Sequence, residues 1–196
     1  MQMQSNYFRQ LIVISCVLLA SCATSPKPVS IKPSPKLHSL PKENVSTVDP
    51  KIFRDGINLQ LLKNAEAHAL PANARVLKQA RIMTVNQKVI LPGGCWDYIN
   101  AVWNKAGFPI KKRRTIFKGS KTGSYASAAK IQSGDWLYFI NHDYGNIEHS
   151  AMFIDWADKN NMQGYMLSYA GQRRAEPARY KIYDLTSVYQ VIRPKE

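Results

Sequence analysis

Acidic residues are scarce in this chain: 13 Asp and Glu stand against 27 Lys and Arg, for a formal net charge of +14. Such a balance disfavours basic partners and suits a polyanionic neighbour such as peptidoglycan carboxylates, phospholipid headgroups or nucleic acid. Cysteine is scarce as well, with three in 196 residues, too few for the disulfide framework of a small secreted domain. No apolar run reaches the roughly 20 residues that a membrane-spanning helix needs, and the longest, residues 11–20, is about half that. No internal repeat is visible, which excludes a solenoid. No His, Cys, Asp and Glu cluster has the spacing of metal ligands, so neither a metal nor another cofactor is expected.

What is present begins with that short apolar run. It follows a polar stretch whose one charge is Arg9 and ends in small residues, the pattern of a signal peptide over residues 1–21. The tetrad Leu19-Ala20-Ser21-Cys22 resembles the lipobox of bacterial lipoproteins at all four positions. The resemblance implies that Cys22 is acylated, becomes the mature N-terminus and ties the protein to a membrane. Ala23 stands where Asp would favour inner-membrane retention, which implies an outer-membrane anchor facing the periplasm. Such a protein rarely meets nucleic acid, so the positive charge points to wall and membrane. Residues 22–50 are rich in Pro, Lys and Ser, cannot bury a core and read as an extended tether. Lysines 27, 32, 36 and 42 are either solvated charge or contacts to anionic headgroups and the wall.

Signal and tether removed, about 145 residues remain, one domain's worth. Residues 51–88 read as its helical N-terminal part, with helices at about 53–69 and 72–83, and residues 89–196 as its core. Cys16 leaves with the signal and Cys22 takes the lipid, so Cys95 has no disulfide partner. A lone thiol in an oxidising compartment needs a reason, either packing as a small hydrophobe or chemistry. After Cys95, the residues Tyr98, Ile99, Val102, Trp103 and Ala106 recur at helical spacing until Gly107 and Pro109, and Pro92-Gly93-Gly94 form a turn before it. Cys95 thus opens a helix, whose free amides and positive dipole end lower a thiol's pKa. Its own backbone N–H is a candidate oxyanion donor.

A thiolate nucleophile needs a histidine partner. His38 lies in the tether, His68 reads as a helix-surface residue and His142 as part of a polar turn. His149 opens the apolar strand 149–156, which pairs as a hairpin with strand 135–140 and can face the N-terminus of a helix packed across that sheet. Taken alone, it could equally be a core histidine satisfied by a hydrogen bond.

Cys95 at a helix start, Ala106-Gly107 at that helix's end, Ser133-Gly134-Asp135 before the next strand, and His149-Ser150-Ala151-Met152-Phe153 beginning another, 54 residues after Cys95, follow one order. That order resembles the NlpC-type cell-wall cysteine peptidases and the related CHAP amidases, over residues 89–169 with a closing strand at 187–193. The resemblance implies an α+β, papain-like fold, with the Cys-bearing helix packed on an antiparallel sheet of four to six strands. It implies Cys95 as nucleophile, His149 as base, and Ser168 at the third position, where the family carries His, Asn or Gln to orient the ring. Gln172 or a backbone carbonyl could serve instead. Gly94, Trp96 and Asp97 around Cys95 depart from the family's Asp-Cys-Ser-Gly. The implied substrate is a peptidoglycan stem peptide, cut by a DL-endopeptidase or an amidase. Two other classes fit: a non-catalytic wall-binding or scaffold lipoprotein, and a papain-like hydrolase of lipid or thioester substrates. Trp136, Tyr138, Phe153, Trp156 and Tyr165 are expected to fill the core and cleft walls. The basic run 111–114 reads as a solvated loop, with guidance of an anionic substrate as the alternative, and residues 118–130 as either a lid over the cleft or a plain loop.

Overall fold

The computed structural model describes residues 49–196. The expected signal peptide, the expected lipid site at Cys22, His38 and the expected tether before Asp49 lie outside the described residues. The described residues run through three α-helices, α1 Leu59–His68, α2 Pro71–Arg81 and α3 Cys95–Lys105, and six strands, β1 Arg113–Lys118, β2 Trp136–Asn141, β3 Ile147–Asp158, β4 Gln163–Ser168, β5 Arg179–Asp184 and β6 Val188–Pro194. The strands form one antiparallel sheet in the order β1-β6-β2-β3-β4-β5. The architecture is therefore α+β, with three helices and six strands. Among the described residues, no helix is long and apolar enough to cross a membrane.

Strand alternation sorts the side chains onto two faces. Trp136, Met152, Ile154 and Leu167 meet Val76, Val102, Trp103 and other helix residues in one core. Leu137, Phe139, Ala151, Phe153, Met166, Tyr183, Val188 and Val191 form a second core on the opposite face, closed by Ala126 and Ile131 from the chain between β1 and β2. Both edge strands carry cations, Arg113, Arg114 and Lys118 on β1 and Arg179 and Lys181 on β5, which blunts edge-to-edge pairing.

Helix α1 starts at Leu59, later than the expected residue 53. Asp55 and Gly56 take left-handed backbone angles, φ 55° and 75°, and the Asn58 side chain caps the helix by accepting from the Leu61 amide at 3.0 Å. The segment before it covers the open edge of β5 instead: Phe53 bridges Tyr180 and stacks on its ring, and the Ile182 amide donates to Asp55. Helix α2 begins with Pro71 at its first position, where no N–H is missed, and runs past 83 through a wider turn, Ile82–Asn86.

The run 111–114 is not the expected loop. It enters β1, where the partly buried Arg113 guanidinium lies 5.4 Å and 5.3 Å from the Trp103 and Trp136 ring centres and donates to the Phe108 carbonyl and the Asn104 side chain. Residues between β1 and β2 are tied down: the Gly119 amide donates to the Tyr189 carbonyl and that of Ala126 to the Val188 carbonyl.

The turn Ser133-Gly134-Asp135 is structural. Gly134 has φ +88°, and an added Cβ would stand 2.9 Å from the Asn73 side chain. Asp135 is fully buried and accepts both arms of Arg193, at 2.8 and 2.7 Å, along with the Gln132 amide. Burial lifts the carboxyl above its ordinary value, against the pull of Arg193. Truncating one partner strands the other charge, so Arg193→Met is expected to cost roughly 3–5 kcal/mol in urea unfolding, and adding Asp135→Asn should recover part of that loss.

Candidate active site

The site is built where two elements end together. Strand β4 stops at Ser168, and its last register pair with β3 is Met152 with Leu167. From Ser150 back to Ile147, β3 has β2 on one side and no strand on the other. The turn before α3 docks on the chain that leaves β4. The Tyr169 hydroxyl accepts from the Leu91 amide at 3.1 Å and donates to the Leu91 carbonyl at 2.7 Å. The Gln172 amide donates to the Gly93 carbonyl at 3.1 Å.

Local sequence explains why the helix begins at Cys95. Gly93 takes φ +95°, and a Cβ there would lie 2.1 Å from the Asp97 carboxylate. That carboxylate reaches back to accept from the Gly94 amide at 2.7 Å, the side-chain half of a capping box. Asp97, one of the departures around Cys95, thus starts the helix. At the other end Gly107, φ +90°, and the Phe108 amide bonded to the Trp103 carbonyl at 2.8 Å close α3. The amides of Cys95 and Trp96 lie in the first turn and have no acceptor within the helix.

Cys95 is the one cysteine among the described residues and is free and partly buried. Ser150 and His149 both act on it. The Ser150 hydroxyl donates to Sγ at 3.6 Å. Burial pushes the thiol up, but hydrogen bonding and charge from the His149 ring, with the Ser150 amide and hydroxyl, pull it further down, to about 7.

His149 reaches this position differently from the expected way. By alternation Ser150 points to the helix side with Met152, whereas His149 shares the other face with Ala151 and Phe153. Its ring packs 5.5 Å edge-on to Phe139 and 5.7 Å from Tyr183. It meets the thiol because the sheet has lost β4 at this level. Its Nε2 shares a 3.2 Å hydrogen bond with Ser168 Oγ, which leaves Nδ1 for the thiol. Ser168 is buried and bonds the Tyr183 hydroxyl at 2.7 Å.

The remaining candidates fall elsewhere. His142 has both ring nitrogens engaged, with Asn146 at 2.8 Å and Ser187 at 2.7 Å, and holds the turn between β2 and β3. His68 is exposed and bonds the Asn64 carbonyl. Gln172 contacts the turn through its backbone. Among the described residues no cluster of His, Cys, Asp and Glu has the form of a metal site. Sequence reasoning missed Ser150 and Tyr183. Strand alternation carried a signal for the first, since the neighbour of an outward His faces the helix, while the second lies on a strand that went unrecognised.

A cavity of about 300 Å³ opens at the first turn of α3, lined by Trp96, Ile110, Arg113, Arg114, Trp136 and Tyr138, among others. Trp96 is 42% exposed, and its ring lies 5.8 Å from that of Trp136. The 118–130 segment reaches the other flank through an ion pair of Lys121 with Glu148, the residue before His149. No family model matches the chain, and no curated protein and no solved structure matches it.

The geometry sets a titration. In wild-type protein, iodoacetamide alkylation of Cys95 should rise with an apparent pKa of about 7. His149→Ala removes the stronger of the lowering influences and leaves burial dominant, so the pKa should move above that of a free thiol. Thiolate at pH 7 then falls about 50-fold, of which its greater basicity restores about tenfold, for a net rate loss of about fivefold.

Proposed function

We propose that the protein is a lipid-anchored cysteine hydrolase of papain-like, NlpC-type fold that cleaves amide bonds in peptidoglycan stem peptides. The observation that carries this reading is a free thiol at the first turn of a helix that accepts from the Ser150 hydroxyl at 3.6 Å and is drawn down by a histidine whose Nε2 is held by Ser168. Such a thiol is activated as a nucleophile, and a buried structural cysteine has no use for that environment.

In this mechanism the Cys95 thiolate attacks the amide carbonyl carbon. The C–S bond forms as the carbonyl π pair moves to oxygen, where the Cys95 amide, joined by that of Trp96, donates to the oxyanion. The tetrahedral intermediate collapses, the C–N bond breaks, and the His149 imidazolium gives its Nδ1 proton to the leaving amine. Water, deprotonated by His149, then cleaves the thioester and restores the thiol. The basic chain suits an anionic wall polymer, and the exposed Arg114 in the cavity offers a cation for its carboxylates. The Cys22 lipid, with the outer membrane as its seat, is part of this proposal.

A second reading is supported by the cavity's other lining. Trp96, Ile110, Trp136 and Ile192 give it an apolar side, which suits a fatty acyl ester or thioester.

Purified peptidoglycan and acyl-thioester vesicles, each incubated with the protein and with Cys95→Ala, separate the two by product mass. The proposal expects new muropeptides from the wild type, a drop of at least about 10³-fold in Cys95→Ala, and an unchanged melting curve. Release of acyl chains alone favours the second reading, and equal activity of the variant overturns both.

A further inference from the structure

The turn after α3 carries a large apolar side chain that the fold leaves outside. Gly107, φ +90°, ends the helix, Phe108 enters the core, and Pro109 leads into the single helical turn Ile110–Lys112. Ile110 is 70% exposed, the most of any large hydrophobic among the described residues. The turn is nonetheless firmly held. The Lys112 amide donates to the Pro109 carbonyl at 2.7 Å, the Lys195 amide to the Lys112 carbonyl at 2.9 Å, and the Arg113 side chain to the Phe108 carbonyl.

Ile110 belongs to a wider surface. It shares the cavity at the first turn of α3 with Trp96 and Arg114. Arg114 also lines a neighbouring cavity with Leu70 and Lys195, and Lys195 a third with Arg75, Lys111 and Lys112. The shared residues join the three into one continuous surface. Leu70 and Trp96 are exposed on it, at 53% and 42%. Arg75, Lys111, Lys112, Arg114 and Lys195 are exposed too, and among the described residues none of them pairs with a carboxylate. Glu196 is the one acid that lines any of the three cavities.

We infer that this surface docks on an anionic phospholipid bilayer, with Ile110, Leu70 and Trp96 entering the interface and the cations meeting the headgroup phosphates. The inference goes beyond the catalytic reading and holds for either substrate class. Two features select the occupant. Unpaired charge of one sign is complementary to an anionic surface, each cation strengthening binding about fivefold. A wall polymer would satisfy those cations equally, but it gives Ile110 and Leu70 nothing to enter, whereas apolar side chains flanked by Lys and Arg suit a bilayer's headgroup boundary. An indole fits the same depth, its ring toward the acyl chains and its N–H toward water. Because the turn is already held, docking orders little that was loose. Trp96 follows Cys95 in the chain, so the docked surface adjoins the thiol.

The test presents the full chain to vesicles of phosphatidylcholine with and without phosphatidylglycerol. It reads orientation rather than attachment, so a lipid at Cys22 does not mask the result. On the anionic vesicles alone, and far less at high salt, hydrogen exchange should slow at the amides of residues 108–114 and brominated acyl chains should quench tryptophan fluorescence. Trp96→Phe should abolish the quenching, since Trp103 and Trp136 are buried. Lys111→Gln with Lys112→Gln should weaken docking about 25-fold, and Ile110→Ser about tenfold. Lys63→Gln with Lys78→Gln, the same loss of charge from exposed positions on α1 and α2, should leave docking unchanged. All the substituted side chains are exposed, so melting curves should match the wild type. Equal signals on neutral vesicles, no signal on either, or an undiminished signal in Ile110→Ser overturns the inference. So does slowing of the same amides by purified peptidoglycan alone, which assigns the surface to the wall, or by raised protein concentration without vesicles, which assigns it to a second copy. None of these outcomes bears on the Cys95 and His149 pair.

Discussion

The docking of the turn Pro92-Gly93-Gly94 against the chain leaving β4 is the contact on which the site depends. Tyr169 clamps both backbone groups of Leu91, and Gln172 holds the Gly93 carbonyl. These bonds put the start of α3 at the level where β3 has lost a neighbour, so one thiol meets both Ser150 and His149, residues that alternation sends to opposite faces. A continuous β4 would have walled His149 off from the helix. The helix is also anchored by Trp103 against Trp136 and by Arg113 over both indoles, and the sheet beneath it by the buried pair of Asp135 and Arg193.

At Cys95 two effects oppose each other. Desolvation favours the neutral thiol, and the His149 ring with two donors from Ser150 favours the thiolate; the second group prevails by about two pKa steps from the ordinary value of 9.0 to about 7. That difference corresponds to roughly 3 kcal/mol of preference for the charged form. The same burial that opposes ionisation also strengthens each hydrogen bond to the charged sulfur. A helix start supplies donors for an oxyanion at no further structural cost, since its first amides lack partners in any case.

Much of this was legible in the sequence. The periodicity from Tyr98 to Ala106 and the punctuation at Gly107 gave helix α3 with its cysteine first, and the apolar runs around residues 136–140, 149–156 and 163–169 gave three adjacent strands of the sheet. Strands β1 and β5 were not legible, because edge strands rich in Arg and Lys lack the apolar alternation that marks a half-buried strand. Residues 53–58 were read as helix because their apolar spacing is helical, while Asp55 and Gly56 turn the chain locally. At the site, Cys95, His149 and Ser168 could be named, yet the direction of approach of His149 could not, since it depends on where a neighbouring strand stops. Asp97 looked like a departure from a motif and is a helix cap. Tyr183 reaches Ser168 through a fold contact with no local signature.

The account's central claim, that Cys95 forms and releases a covalent acyl intermediate, is tested most directly by intact-mass analysis of the protein quenched in acid during turnover of peptidoglycan fragments. The account predicts a population carrying one acyl-peptide mass, mapped to Cys95 by peptide sequencing and absent from Cys95→Ala. Turnover with Cys95 unmodified at every time point, or equal turnover by Cys95→Ala, would contradict it.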